Sequence, residues 1–73
     1  MNTVRIYIDE NLDTARLKSL QQLLEGIPHV LDVEVSEKEP HELVVEYEER
    51  QNMPVKLIQV LREKGFHPDI LSA

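Results

Sequence analysis

Along the opening run MNTVRIYIDE, Val4, Ile6 and Ile8 alternate with Arg5, Tyr7 and Asp9. A period of two buries one face of a strand and wets the other, so this run predicts a β-strand. The period then changes. Leu17, Leu20, Leu23, Leu24 and Ile27 recur at helical spacing, with Gln21, Gln22 and Glu25 between them. Asp13 or Thr14 suits the N-cap, since either side chain accepts from the unpaired N–H groups of the first turn. Gly26 is expected to take the left-handed conformation that ends the helix, and Pro28 to prevent its continuation.

Alternation returns with Leu31, Val33 and Val35 set against Asp32 and Glu34, which predicts a second strand. The polar run SEKEPHE is its turn. A third strand follows, with Leu43, Val45 and Tyr47 alternating with Val44, Glu46 and Glu48. Val55, Leu57, Ile58 and Leu61 mark a second helix, opening near Asn52 with Pro54 in its first turn, where the missing N–H does no harm. Lys64 suits the negative end of that helix, and Gly65 closes it. Phe66, Ile70 and Leu71 predict a short last strand, which Pro68 assigns to a sheet edge.

The order is therefore β-α-β-β-α-β, and QLLEGIPHVLDV in the first half is echoed by QVLREKGFHPDI in the second. This predicts an α+β, ferredoxin-like sandwich, with two helices packed on one face of a four-stranded antiparallel sheet. Chain direction then gathers residues 9–13, His41 and residues 65–67 at one end of the domain. His29 and Asn52 fall at the other.

Composition narrows the function classes. A chain of 73 residues is read as a single domain, 1–73, and buries only about 60% of its unfolded surface. At 41% hydrophobic and 30% charged residues it is an ordinary globular sequence. The absence of cysteine removes disulfides, thiolate metal sites and Cys nucleophiles. No apolar stretch approaches the roughly 20 residues of a membrane span, and the N-terminus has no basic region followed by an apolar one. A soluble cytoplasmic protein without membrane insertion is the expectation.

The net charge of −6 is concentrated in residues 32–49, where eight acids face Lys38 alone, a net −7 that leaves the rest at +1. Nucleic acid is an unsuitable partner for such a chain, because phosphate binding needs clustered Lys and Arg. A protein with a basic surface is the better match. On the open face of the sheet, Tyr7, Asp32, Glu34, Val44, Glu46 and Glu48 are the candidate partner-binding residues. RNA-recognition domains use several aromatics on that face, and here one tyrosine stands among acids.

Candidate chemistry is sparse. No Ser or Thr pairs with a His as nucleophile and base, and only two glycines exist, both at helix ends, so no phosphate loop is present. No catalytic constellation emerges, and a non-enzyme without cofactor is expected. Asp9, Glu10, Asp13 and His67 gather at one end and offer a weak carboxylate–imidazole set for Zn(II) or Ni(II). Against this, the three acids would stabilise the adjoining helix N-terminus by about 0.3–1 kcal/mol each, with His67 merely solvated. His41, on the hairpin, is expected about 10 Å away, two strand spacings from that cluster.

The pattern as a whole resembles the heavy-metal-associated domain family, copper and zinc chaperone modules with a GMxCxxC loop, a Pro-Gly-Val turn, V-x-V and V-x-Y strands and a Gly-Tyr ending. Leu17, Leu20, Leu23, Leu24 and Ile27 fall on its helix positions, and Pro28, His29 and Val30 on its turn, with His29 replacing glycine. Val33 and Val35, then Val45 and Tyr47, match its strands, and Leu57, Leu61, Gly65 and Phe66 its second helix and ending. The resemblance puts the two cysteine positions on Asp13 and Arg16, so that CxxC has become DTAR. Glu10 and Asn11 stand in place of Gly-Met, and Leu12 takes the buried role of that methionine. Soft Cu(I) wants thiolate or thioether ligands, which this loop lacks, and Arg16 adds a fixed positive charge. The resemblance therefore implies the fold and an interaction or regulatory module, monomeric or weakly dimeric. A metal carrier using Asp and His or partner-supplied ligands is the alternative, and a dimeric small-molecule sensor a third class.

Overall fold

The first alternation forms strand β1 (Asn2–Ile8), with Val4, Ile6 and Ile8 all but fully buried. Helix α1 (Thr14–Glu25) follows, then β2 (Val30–Val35), β3 (Glu42–Tyr47), α2 (Met53–Glu63) and β4 (Pro68–Ser72). The computed structural model describes residues 2–35, 38–50 and 52–72. Ser36 and Glu37 of the expected turn lie outside the described residues. The four strands are antiparallel in the order β2-β3-β1-β4, so the element order and sheet type are those of the ferredoxin-like sandwich.

The core lies between the sheet and the helices. Val33, Leu43, Val45 and Tyr47 from β2 and β3 join the β1 residues, and meet Leu20 and Leu24 of α1 with Met53, Leu57 and Leu61 of α2. Each fully buried side chain of this size contributes about 1.5–3 kcal/mol relative to exposure. Leu12, Leu23, Ile27, Val30 and Phe66 pack partly buried around that set, so Leu12 does take an inward role.

Local chemistry sets the element ends. Asp13 is the N-cap of α1: its Oδ1 accepts the Arg16 N–H at 2.8 Å, and its carbonyl accepts the Leu17 N–H at 2.9 Å. Asn52 precedes α2 in the left-handed region at φ 64°, which Asn tolerates better than most residues. At the far end of α2, Gly65 is left-handed at φ 90°.

Three expectations need correction. Gly26 ends α1 in the right-handed region at φ −77°, and the left-handed residue of that turn is His29 at φ 73°. Leu31 is 51% exposed, because a bulge between Val30 and Asp32 takes it out of the alternation and Val30 packs inward instead. Val55 is 54% exposed, and Met53 fills the first buried position of α2. Pro68 opens β4 at the sheet edge, as expected of a residue without an N–H, and is itself buried.

Candidate functional site

The ends of β1, α2 and the β2–β3 hairpin meet as chain direction requires. Ile8 N–H donates to the His41 carbonyl at 2.8 Å, and Asp9 N–H donates to the His67 carbonyl at 3.2 Å. Glu10 completes the junction. Its Oε1 accepts the His67 backbone N–H at 2.9 Å, and its Oε2 accepts from His67 Nδ1 at 2.5 Å. These hydrogen bonds hold the Glu10 carboxyl below its ordinary 4.5, and Glu10, aided by the nearby Asp9 charge, raises the His67 imidazole above its ordinary 6.5.

The four residues considered for metal therefore separate in role. Glu10 and His67 pair with each other, while Asp13 uses a carboxylate oxygen to cap α1. Asp9 is exposed beside them. Among the described residues, no three of His, Asp and Glu converge as a metal site requires. At the two positions that the family resemblance assigns to thiolates stand a capping carboxylate and the cation Arg16, a donor set that does not fit Cu(I).

His41 immediately precedes β3, the direct neighbour of β1, and β1 lies between it and the β4 edge where His67 sits. The His41 Nδ1 lies 2.7 Å from the Ile8 carbonyl oxygen. A carbonyl only accepts, so the proton must sit on Nδ1. The imidazole also stacks on Tyr7, with ring centroids 5.3 Å apart and planes at 23°. Sequence separation hid this contact, although Tyr7 and His41 both lie where β1 and β3 meet.

The open sheet face collects the acids. Register sets Asp32 opposite Glu46, Glu34 opposite Val44, Val44 opposite Arg5, and Tyr7 opposite Glu42. Arg5 forms an ion pair with Glu42 across the strands. A shallow groove of about 210 Å³ crosses this face, lined by Arg5, Glu34, Val35, Glu39, Glu42 and Val44. Glu48 does not line this groove. It follows the end of β3 and sits 3.9 Å from His29 and 4.0 Å from Arg50, at the far end of the domain. There Arg50 Nε donates to His29 Nδ1 at 3.3 Å.

With the geometry in place, solved structures supply the comparison. The chain superposes on the yeast copper transporter domain Ccc2a with a TM-score of 0.83 at 17% identity, over 97% of this chain and 96% of that one. MerP from Ralstonia metallidurans gives a TM-score of 0.83 at 15% identity over 97% of both chains. The PacS N-terminal domain from Synechocystis gives 0.76 at 20% identity, over 99% of this chain and all of that one. The chain has the heavy-metal-associated fold. Neither a protein-family model nor a curated protein matches the sequence. Among the described residues, no helix is long and apolar enough to cross a membrane.

Proposed function

We propose that this chain is a non-enzymatic interaction or regulatory module on the heavy-metal-associated fold, docking a protein with a basic surface through its acidic sheet face. The observation that carries the reading is the groove lined by Glu34, Glu39 and Glu42 with Val35 and Val44, in which Arg5 pairs with Glu42 and leaves the other two carboxylates in excess. A lysine or arginine of a partner matches such a groove, with its aliphatic stem on the valines and its charge at the carboxylates. Asp32 and Glu46, directly opposed on adjacent strands, repel each other and gain from a cation placed between them. The loop supports the same reading, since Asp13 and Arg16 replace the thiolates of the resembling family.

The test compares the wild-type chain with a Glu34→Gln, Glu42→Gln, Glu46→Gln variant in affinity capture. The expected result is a protein held by the wild type, lost with the variant, and released in about 0.5 M salt, where screening shortens the reach of surface charge to a few ångströms. Equal capture by both chains, or none by either, overturns the reading.

A second reading has its own observation. Glu10 and His67 already place a carboxylate oxygen and an imidazole nitrogen 2.5 Å apart, and a partner could supply the ligands that complete a Zn(II) or Ni(II) site. The copper transporter domain of yeast shares the fold. Titration with Zn(II), Ni(II) and Cu(I), followed at the amides of Asp9 to Leu17 and His67, separates the two. Saturable, localised shifts in the isolated chain or in its complex with the captured partner would favour a carrier, and their absence from both leaves the interaction module.

A further inference from the structure

On the helix side, away from the acidic face, a groove of about 350 Å³ is lined by Arg16, Ser19, Leu20, Leu23, Lys64 and Phe66. Four of these residues recur at i, i+3, i+4 and i+7 along α1, one continuous stripe of the helix. Phe66 and Lys64 close it from the α2–β4 connection, where the chain turns at Gly65. The lining divides by chemistry. Leu20 is 2% exposed, Leu23 and Phe66 are half-buried, and these three make an apolar wall. Arg16 and Lys64 add two cations, and Ser19 adds a hydroxyl.

Among the described residues, no carboxylate lies within ion-pairing distance of Arg16 or Lys64, although the chain carries 14 acids against 8 bases. Residues 32–49 hold most of that negative charge, and none of the described ones among them lines this groove. Two such cations beside an apolar wall, in an acidic protein, define a complementary ligand: an apolar body ending in an anion.

We infer that this groove binds a small organic carboxylate with an apolar tail, its head between the Arg16 guanidinium and the Lys64 ammonium and its tail against Leu20, Leu23 and Phe66. The Arg16 fork matches a carboxylate in shape as well as charge. Ser19 donates a further hydrogen bond to the head group. The volume lies at the lower end of small-molecule sites, which suits a ligand of modest size. The site is independent of the acidic sheet face, and its occupancy requires no partner protein.

The experiment is an amide-resolved NMR titration of the whole chain with sodium octanoate, with inorganic phosphate and octanol as separate titrants. Octanoate is expected to give saturable shifts confined to Arg16, Ser19, Leu23, Lys64 and Phe66, while phosphate and octanol give neither. In an Arg16→Gln, Lys64→Gln variant, octanoate binding is expected to weaken by about tenfold or more, each tenfold being about 1.4 kcal/mol. Both side chains are exposed, so the variant keeps its fold, and an unchanged spectrum elsewhere checks this. Equal shifts with phosphate would mean charge attraction alone, and overturn the proposal. Undiminished octanoate binding by the variant, or no saturable shift at all, overturns it too.

Discussion

Glu10 holds His67 by two hydrogen bonds at once, one to the backbone N–H at 2.9 Å and one to the ring at 2.5 Å, across 57 residues of sequence. The contact ties the β1–α1 loop to the α2–β4 loop. A backbone hydrogen bond from the Asp9 N–H to the His67 carbonyl, at 3.2 Å, joins the same two loops.

The Glu10–His67 pair sets a pH dependence with a definite sign. His67 has a raised folded-state pKa, so its contribution is full below the ordinary 6.5 and is lost as pH rises through the folded value. Glu10 has a lowered one, so its contribution is full above the ordinary 4.5 and is lost as pH falls through the folded value. The clasp is therefore strongest between about pH 4.5 and 6.5. In an NMR titration the His67 imidazole should change charge above 6.5 in the wild type, and return toward 6.5 in Glu10→Gln. An identical His67 midpoint in both proteins would remove the clasp.

The two glycines should respond to alanine with opposite signs. A Cβ on Gly26 meets only ordinary contacts, 3.5 Å to the Leu23 carbonyl oxygen and 3.6 Å to that of Gln22, on a right-handed backbone. Gly26→Ala is expected to stabilise by about 0.4–1 kcal/mol by restricting the unfolded chain. Gly65 has open space around it but sits at φ 90°, and Gly65→Ala should destabilise by about 1–2 kcal/mol. Urea unfolding of the two variants checks the signs.

His29 carries the strain that the nearby glycine does not. A non-glycine left-handed residue costs about 1–2 kcal/mol, part of which glycine returns as unfolded-state entropy. The contacts of His29 to Arg50 and Glu48 are solvent-exposed and contribute little in return. His29→Gly is therefore expected to raise stability by about 0.5–1 kcal/mol, and His29→Val to lower it. Thermal unfolding of both variants decides the matter, and a stabilised valine variant would contradict the left-handed turn.

Two leucines that look alike in sequence should differ sharply. Leu57 is fully buried, and Leu57→Ala should cost about 2–5 kcal/mol, enough to unfold much of so small a domain. Leu31 stands on the bulge, half exposed, and Leu31→Ala should stay within about 0.5 kcal/mol of wild type. Circular dichroism under denaturant distinguishes them.

Legibility of the site followed the range of the interactions that build it. Asp13 could be assigned as a cap from its place before a helical run, because capping is local to a few residues. The gathering of Asp9, Glu10 and His67 at one end followed from element order alone. Which of them bind each other did not. Glu10 pairs with His67 and Asp13 does not, since one carboxylate reaches across the junction and the other is already bonded to the Arg16 N–H. The groove between Arg16 and Lys64 was half visible as a 16-19-20-23 stripe, but its other wall comes from a segment more than 40 residues away.

By itself the sequence determined the number, type and order of the elements, and which face of β1 and β3 is buried. Those features depend on hydrophobic period and on turn chemistry, both written within a dozen residues. Only the tertiary structure decided that bulges would displace Leu31 and break the register beside Arg5, that His29 rather than Gly26 would turn left-handed, and that Tyr7 would stack on His41. Each of these depends on how strands align and where loops meet. A period of two fixes the side a residue faces, and leaves open the point at which a strand must slip to stay packed.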